Sequence, residues 1–191
     1  MAKYYFANKK NNTTFINHIN QNNHIKITVQ TIVNTEKLFI SAQKNEAAFK
    51  QFFNKNRKKI ENADELVLQL HRQAFRETDC LQCANCCRTL GPRITFRDID
   101  QMAKALRIKP SKVIENYLKT DEDGDYVFRS MPCPFLMDDN YCSIYENRPK
   151  ACREYPHTDR RKFYQIYHLT VKNAYTCPVA YFVLDNLRKS F

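Results

Sequence analysis

Eight cysteines stand in the chain: Cys80, Cys83, Cys86, Cys87, Cys133, Cys142, Cys152 and Cys177. The first four are packed as Cys80-Leu-Gln-Cys83-Ala-Asn-Cys86-Cys87. Two intervening residues are what a tight turn needs to aim two sulfurs at one centre. Zinc takes four ligands in a tetrahedron with Zn–S near 2.3 Å. A cubane iron–sulfur cluster takes one thiolate per iron, and the C-x2-C-x2-C run supplies three of them with a fourth from elsewhere. Cys80, Cys83 and Cys86 reproduce that triple. The fourth thiol is then Cys87 or one of the distal four. Eight thiols allow two sites, or one site and spare thiols.

The distal cysteines sit beside stiff backbone. Cys133 lies between Pro132 and Pro134, Cys177 precedes Pro178, and Cys152 follows Arg148-Pro149, where Pro149 is expected in the first turn of a short helix. Arg88 and Arg153, each directly after a cysteine, are candidate cations beside thiolates. His157 is a ninth candidate ligand, but the sulfurs suffice without it. The competing readings are disulfide redox chemistry without metal and buried thiols that act only as small hydrophobes.

Composition narrows the compartment and the function class. Lys9 and Lys10 stand where a secretion signal needs its apolar segment, so the cytosol is expected. Thiols there stay reduced, which turns a cysteine-rich pattern toward metal. No apolar run is long enough to span a membrane. With only two glycines, Gly91 and Gly124, glycine-rich phosphate loops are excluded. The net charge is +11, divided as +6 over residues 1–79 and +5 over 80–191. That even spread argues against one concentrated nucleic-acid footprint, so such a partner is weakly supported. A protein or redox partner is expected but not identifiable.

The elements that must position the sulfurs read as follows. Residues 1–44 form a polar, asparagine-rich extension, with a short strand expected over 24–33. Residues 45–76 form an amphipathic helical segment with Phe49, Phe52, Phe53, Ile60, Ala63, Val67, Leu70 and Ala74 on one face. Asn45 is its expected N-cap, and Asn56 and Asn62 mark breaks. Residues 77–191 form the cysteine-cluster domain. Thr95 and Asp98 make a capping box for a helix that carries Ile99, Met102, Ala103 and Leu106. Pro110 opens a second helix with Val113, Ile114, Tyr117 and Leu118 inward. Asp121 to Asp125 is a turn without EF-hand spacing, and Tyr126 to Phe128 a short strand. Phe163, Ile166, Tyr167, Thr170, Val171 and Ala174 form a helical stripe. Pro178 starts a last helix with Val179, Phe182, Val183 and Leu187 inward. The fold class is mainly α: a small helical domain with irregular loops built around a cysteine-ligated metal centre.

Beyond these residues the chain resembles the cysteine-cluster family described as zinc- or iron-chelating, whose hallmark is CxxCxxCC. The matching positions are Cys80 to Arg88, Pro132-Cys133-Pro134-Phe135-Leu136, Cys142 to Pro149, Cys152-Arg153-Glu154-Tyr155-Pro156 and Cys177-Pro178. Ala84 departs from the glycine that members often carry there. The resemblance implies a metal-binding domain with no settled activity. It also implies a connection to flagellin lysine methylases, which carry a similar cysteine module associated with an iron–sulfur cluster. Three functions follow as expectations. The first is an iron–sulfur or iron-binding protein that uses all eight cysteines as candidate ligands. The second is a zinc-stabilised interaction module. The third, without a cofactor-binding glycine motif behind it, is a methyltransferase-associated enzyme. Within the matched Ser143 to Pro149 segment, Arg148 is expected to anchor backbone or a carboxylate such as Glu146 or Glu154.

Overall fold

A computed structural model describes residues 35–191, so the strand expected over 24–33 lies outside the described residues. The chain is mainly helical: α1 (Thr35–Glu61), α2 (Asp64–Glu77), α3 (Cys80–Cys83), α4 (Asn85–Thr89), α5 (Phe96–Leu106), α6 (Pro110–Tyr117), β1 (Leu118–Thr120), β2 (Tyr126–Phe128), α7 (Lys150–Glu154), α8 (Tyr167–Asn173) and α9 (Pro178–Lys189). Two 3-10 turns, Tyr145–Asn147 and Phe163–Ile166, complete it. Among the described residues no helix is long and apolar enough to cross a membrane.

Apolar spacing divides these elements between two cores. The first is built from α1, α2, the Phe163–Ile166 turn, α8 and α9, and buries Phe49, Ile60, Val67, Tyr167 and Leu184. Tyr167 stacks on Phe53 with ring centroids 4.7 Å apart and donates its hydroxyl to the Phe49 carbonyl at 3.2 Å. The second core is built from α5, α6 and the β1–β2 hairpin, and buries Ile99, Met102, Val113, Leu118, Phe128, Phe135 and Ile144. The hairpin is antiparallel and pairs Leu118 with Phe128 and Thr120 with Tyr126. Its turn is held by Asp121, whose carboxylate accepts from the Asp123 and Asp125 amides, with Gly124 at φ +82°.

Most local expectations hold. The Thr95–Asp98 capping box is present, Pro110 and Pro178 open α6 and α9, and the Phe163–Ala174 stripe is buried. Asn56 is the kink inside α1, at φ −117° and ψ 18°, and α1 ends at Glu61, just before Asn62. Four points differ. The helix begins at Thr35, ten residues before Asn45, because Leu38 and Ala42 extend the buried face. Asn45 is therefore no cap; its side-chain amide donates to the Ser41 carbonyl and the Tyr181 hydroxyl. Leu118 lies in β1 rather than in the preceding helix. Pro149 is the N-cap of α7 rather than its first-turn residue.

Candidate metal centre

The four clustered cysteines sit on two short helices joined by one residue. Asp79 caps α3 by accepting from the Leu81 amide at 2.9 Å. Ala84 ends α3 in the left-handed region, at φ 43° and ψ 16°, and its N–H reaches the Cys80 carbonyl at 2.8 Å. Chain reversal at Ala84 lets Cys80 and Cys83 approach Cys86 instead of lining a continuous helix. Ala84 holds this conformation at a cost, because L side chains disfavour the left-handed region. Arg88 donates to the Cys83 carbonyl at 2.9 Å and also bonds Asn140, whose amide donates to the Leu81 carbonyl at 2.6 Å. The loop carrying Asn140, 52 residues after Arg88, is thereby fastened onto the cysteine helices.

Backbone ties bring in the distal cysteines. The Cys133 amide donates to the Cys87 carbonyl at 2.8 Å. A bridge between Leu136 and Cys142, with the Ser143 amide bonded to the Phe135 carbonyl at 2.8 Å, holds Cys133 and Cys142 in one short loop. The Lys150 amide donates to Asp98 at 2.8 Å, which fixes the start of α7 and with it Cys152. The Asn85 side chain donates to the Thr176 carbonyl at 2.8 Å, which holds Cys177 against α4. Thr78, two residues before Cys80, is buried with a hydroxyl that has no hydrogen-bond partner.

All eight are free thiols. Cys86 Sγ and Cys87 Sγ lie 4.0 Å apart, and their coupling splits the pair. The hydrogen bond between them, burial and the neighbouring Cys177 and Cys80 charges push Cys86 up. The same bond draws Cys87 down to about 7, against burial and with help from Arg88 and Arg148. Burial pushes Cys80 and Cys133 up to about 11, and Cys152 and Cys177 up to about 12, with neighbouring thiols adding to each. Cys142 is raised for the same reasons. Cys80 is exposed as a whole residue, yet burial is the largest cause of its raised value. The sulfurs from four chain segments thus feel one another. A cation among them relieves both desolvation and mutual repulsion, so the donor set fits a thiophilic metal. Among the described residues no three His, Cys, Asp or Glu side chains are drawn tightly enough to clasp one ion as they stand. A single ion with sulfurs at about 2.3 Å needs sulfur–sulfur edges of about 3.8 Å. A cubane, with an iron at each of four corners, seats its thiolates farther apart.

Of the two cations expected beside thiolates, Arg88 acts on Cys87, whereas Arg153 is engaged elsewhere. Arg153 donates to the Arg148 carbonyl and to Gln101. Arg148 is the cation among the sulfurs: it favours the ionised forms of Cys80, Cys87, Cys142 and Cys152. It is held by a bond to the Tyr145 carbonyl at 2.8 Å and lies over the Tyr145 ring, 3.6 Å from its centroid. Glu146 and Glu154 are not its anchors. His157 feels Glu154, Asp159 and Arg160 rather than the sulfurs. Sequence reasoning did not single out Asn85, Asn140 or Tyr155 for the site. Tyr155 is desolvated beside Cys177, Cys86 and Cys83, which holds its hydroxyl protonated.

Residues 79–178 match a family model, CxxCxxCC, described as "Putative zinc- or iron-chelating domain". No curated protein and no solved structure matches the chain.

Proposed function

The chain belongs to the CxxCxxCC family, and from that premise we propose that it is a metalloprotein whose cysteines bind an iron–sulfur centre. The observation behind this reading is that backbone ties bring the segments carrying Cys133 and Cys177 onto α4, beside the Cys80–Cys87 run. One feature favours a cluster over one ion: the Cys80, Cys83, Cys86 spacing is the cubane triple. When bound, an iron–sulfur centre supplies reversible one-electron transfer. The chain's own part is to present thiolates, to compensate their charge with Arg148 and Arg88, and to limit water around them.

Protein purified without oxygen and analysed for iron, zinc and acid-labile sulfide tests this. Iron with a comparable amount of sulfide, and an electron paramagnetic resonance signal in one redox state, is the expected result. Stoichiometric zinc without iron overturns the cluster and leaves a zinc-stabilised module; absence of both metals overturns metal binding. Cys83→Ser is expected to lower metal content and melting temperature together. An unchanged metal-to-protein ratio and melting temperature would contradict Cys83 as a ligand.

A further inference from the structure

We propose that the corner where α1 ends and α2 begins is a binding surface for the phosphodiester backbone of a nucleic acid, carried by Lys55, Lys58, Lys59, Arg160, Arg161 and Lys162. It lies apart from the cysteines and goes beyond the metal-binding reading. From this corner α2 runs for 14 residues, about 20 Å at 1.5 Å per residue, before the chain reaches Cys80.

Long-range ties bring the six cations to one place. Lys58 and Lys59 stand in the last turn of α1, and Lys55 is three residues before Lys58, on the same side of the helix. The Lys59 carbonyl receives the Asn62 amide at 3.2 Å, and Asp64 opens α2 two residues later. The Asp64 carboxylate accepts from the Lys162 amide at 2.7 Å and from the Phe163 amide at 3.0 Å. Phe163 enters the first core with Phe53 and Ile60 of α1. The Arg160–Lys162 segment is thereby pinned beside the end of α1, although Lys162 follows Asp64 by 98 residues. The even division of charge along the sequence hides this meeting, because each half contributes part of the patch.

The cations face water and are not neutralised in pairs. All six residues are exposed, and none forms an ion pair among the described residues. Of the nearby carboxylates, Glu61 pairs with Arg57 at 3.3 Å and Asp64 holds the two amides. Glu65 and Asp159 leave the six cations in excess. The guanidinium fork of an arginine matches a phosphate bidentately, and lysine adds point charges. Other macromolecular partners fit less well. A protein interface sets an apolar core inside a polar rim, and a helix in a membrane surface lays an apolar face into the lipid. Here the apolar faces of α1 and α2 are buried in the first core, and the exposed neighbours of the lysines on α1 include Asn54 and Asn62. The exposed ring beside them, Phe191, stacks on Phe52 and lies 5.5 Å from Lys59 Nζ. A patch of this kind binds by charge, and a phosphodiester backbone supplies the regular row of anions it needs.

Fluorescence anisotropy on the intact protein tests the surface, with a labelled single-stranded RNA and a labelled DNA duplex of about 20 nucleotides per strand as probes. Binding to at least one is expected, with log affinity falling linearly against log salt, and the two probes tell which form is preferred. Lys55→Gln/Lys58→Gln/Arg160→Gln/Arg161→Gln is expected to weaken binding by at least about tenfold and to flatten that slope by roughly 3. Lys104→Gln/Lys109→Gln/Lys112→Gln/Lys119→Gln removes the same charge from α5, α6 and β1 and should weaken it less than about threefold. Matching melting temperatures show that the variants are folded. Acetylation of wild-type lysines, mapped by mass spectrometry, gives a reading that needs no variant: bound nucleic acid should protect Lys55, Lys58, Lys59 and Lys162. No binding to either probe at low salt, equal loss in the two variants, or protection of other lysines instead overturns the proposal. Tighter binding to phosphatidylserine vesicles than to either probe overturns it in favour of a membrane surface. Displacement by polyglutamate as readily as by unlabelled nucleic acid overturns it in favour of an acidic protein. None of these outcomes bears on the metal content or on Cys83→Ser, so the two readings stand or fall separately.

Discussion

Arg148 is the residue whose charge reaches furthest into the sulfur cluster. Its guanidinium favours the thiolate at Cys80, Cys87, Cys142 and Cys152, and stacking on Tyr145 holds it in place. Supporting groups around ligands typically alter metal affinity by about 10–100-fold. Arg148→Met, which keeps length but removes charge, is expected to weaken metal retention by at least about tenfold in competition with a chelator. Arg148→Lys should recover part of that loss, because it restores charge without the planar stack. Equal retention in all three proteins would reduce Arg148 to a packing residue. Ala84 makes the opposite point, about backbone. It is buried, and its φ of 43° sets the reversal between the two cysteine helices. A Cβ in that conformation costs about 1–2 kcal/mol, so Ala84→Gly is expected to raise thermal stability by about 1 kcal/mol, net of the freedom glycine loses on folding. A lower melting temperature for Ala84→Gly would count against that account.

Among the elements, the start of α5 does more than cap a helix. Asp98 is buried, closes the box with Thr95, and its second oxygen receives the Lys150 amide at the start of α7. One carboxylate therefore links the second core to the helix that carries Cys152. Burial opposes its ionisation, but hydrogen bonds from the Thr95 side chain and amide and from the Lys150 amide outweigh this and hold it below its ordinary 3.8. A depressed folded value means the stabilisation is complete above the unfolded value and lost as pH falls through the folded one. Asp98→Ala is thus expected to cost roughly 2 kcal/mol near neutral pH. The gap to wild type should narrow as pH falls from about 5 to about 2. Urea midpoints across that range decide it: a constant gap means the carboxylate charge is not involved. This box was legible from Thr95 and Asp98 alone, as were the starts at Pro110 and Pro178, because caps and prolines act within one turn of chain. Asn45 misled for the complementary reason. Its amide finds the Tyr181 hydroxyl 136 residues away, and no local pattern announces such a bond. The start of α1 was hidden because Leu38 and Ala42 stand at the edge of a polar, asparagine-rich stretch. The eight cysteines were visible as candidate ligands. Their neighbours in space were not, since these depend on which core each distal loop joins.

At the scale of the whole molecule, the two cores differ in how much they need the metal. The first is made of long helices with broad apolar faces. It buries Phe49, Phe53, Ile60, Val67 and most of α9, and its contact with the sulfurs is Cys177 at one edge. The second relies on short elements: two three-residue strands, α6 of eight residues, and the loops carrying Cys133 and Cys142. Residues 129–149 contain a 3-10 turn and an isolated bridge but no longer helix or strand, so their backbone bonds are mostly those of short turns. A metal that joined Cys133, Cys142 and Cys152 to α4 would supply cross-links that hydrogen bonding does not. Metal removal is accordingly expected to loosen this half and spare the other, in contrast to small zinc domains that unfold entirely without metal. Hydrogen exchange on reduced protein before and after chelation checks it. Amides of residues 130–155 should lose protection, while those of α1, α2 and α9 exchange nearly as before, because local opening follows regions with few buried contacts. Uniform loss along the chain would mean that the helical core depends on the sulfurs as fully as the loops do. Unchanged protection over 130–155 would mean that the loops hold their shape through the Cys133–Cys87 and Lys150–Asp98 bonds without help from a metal.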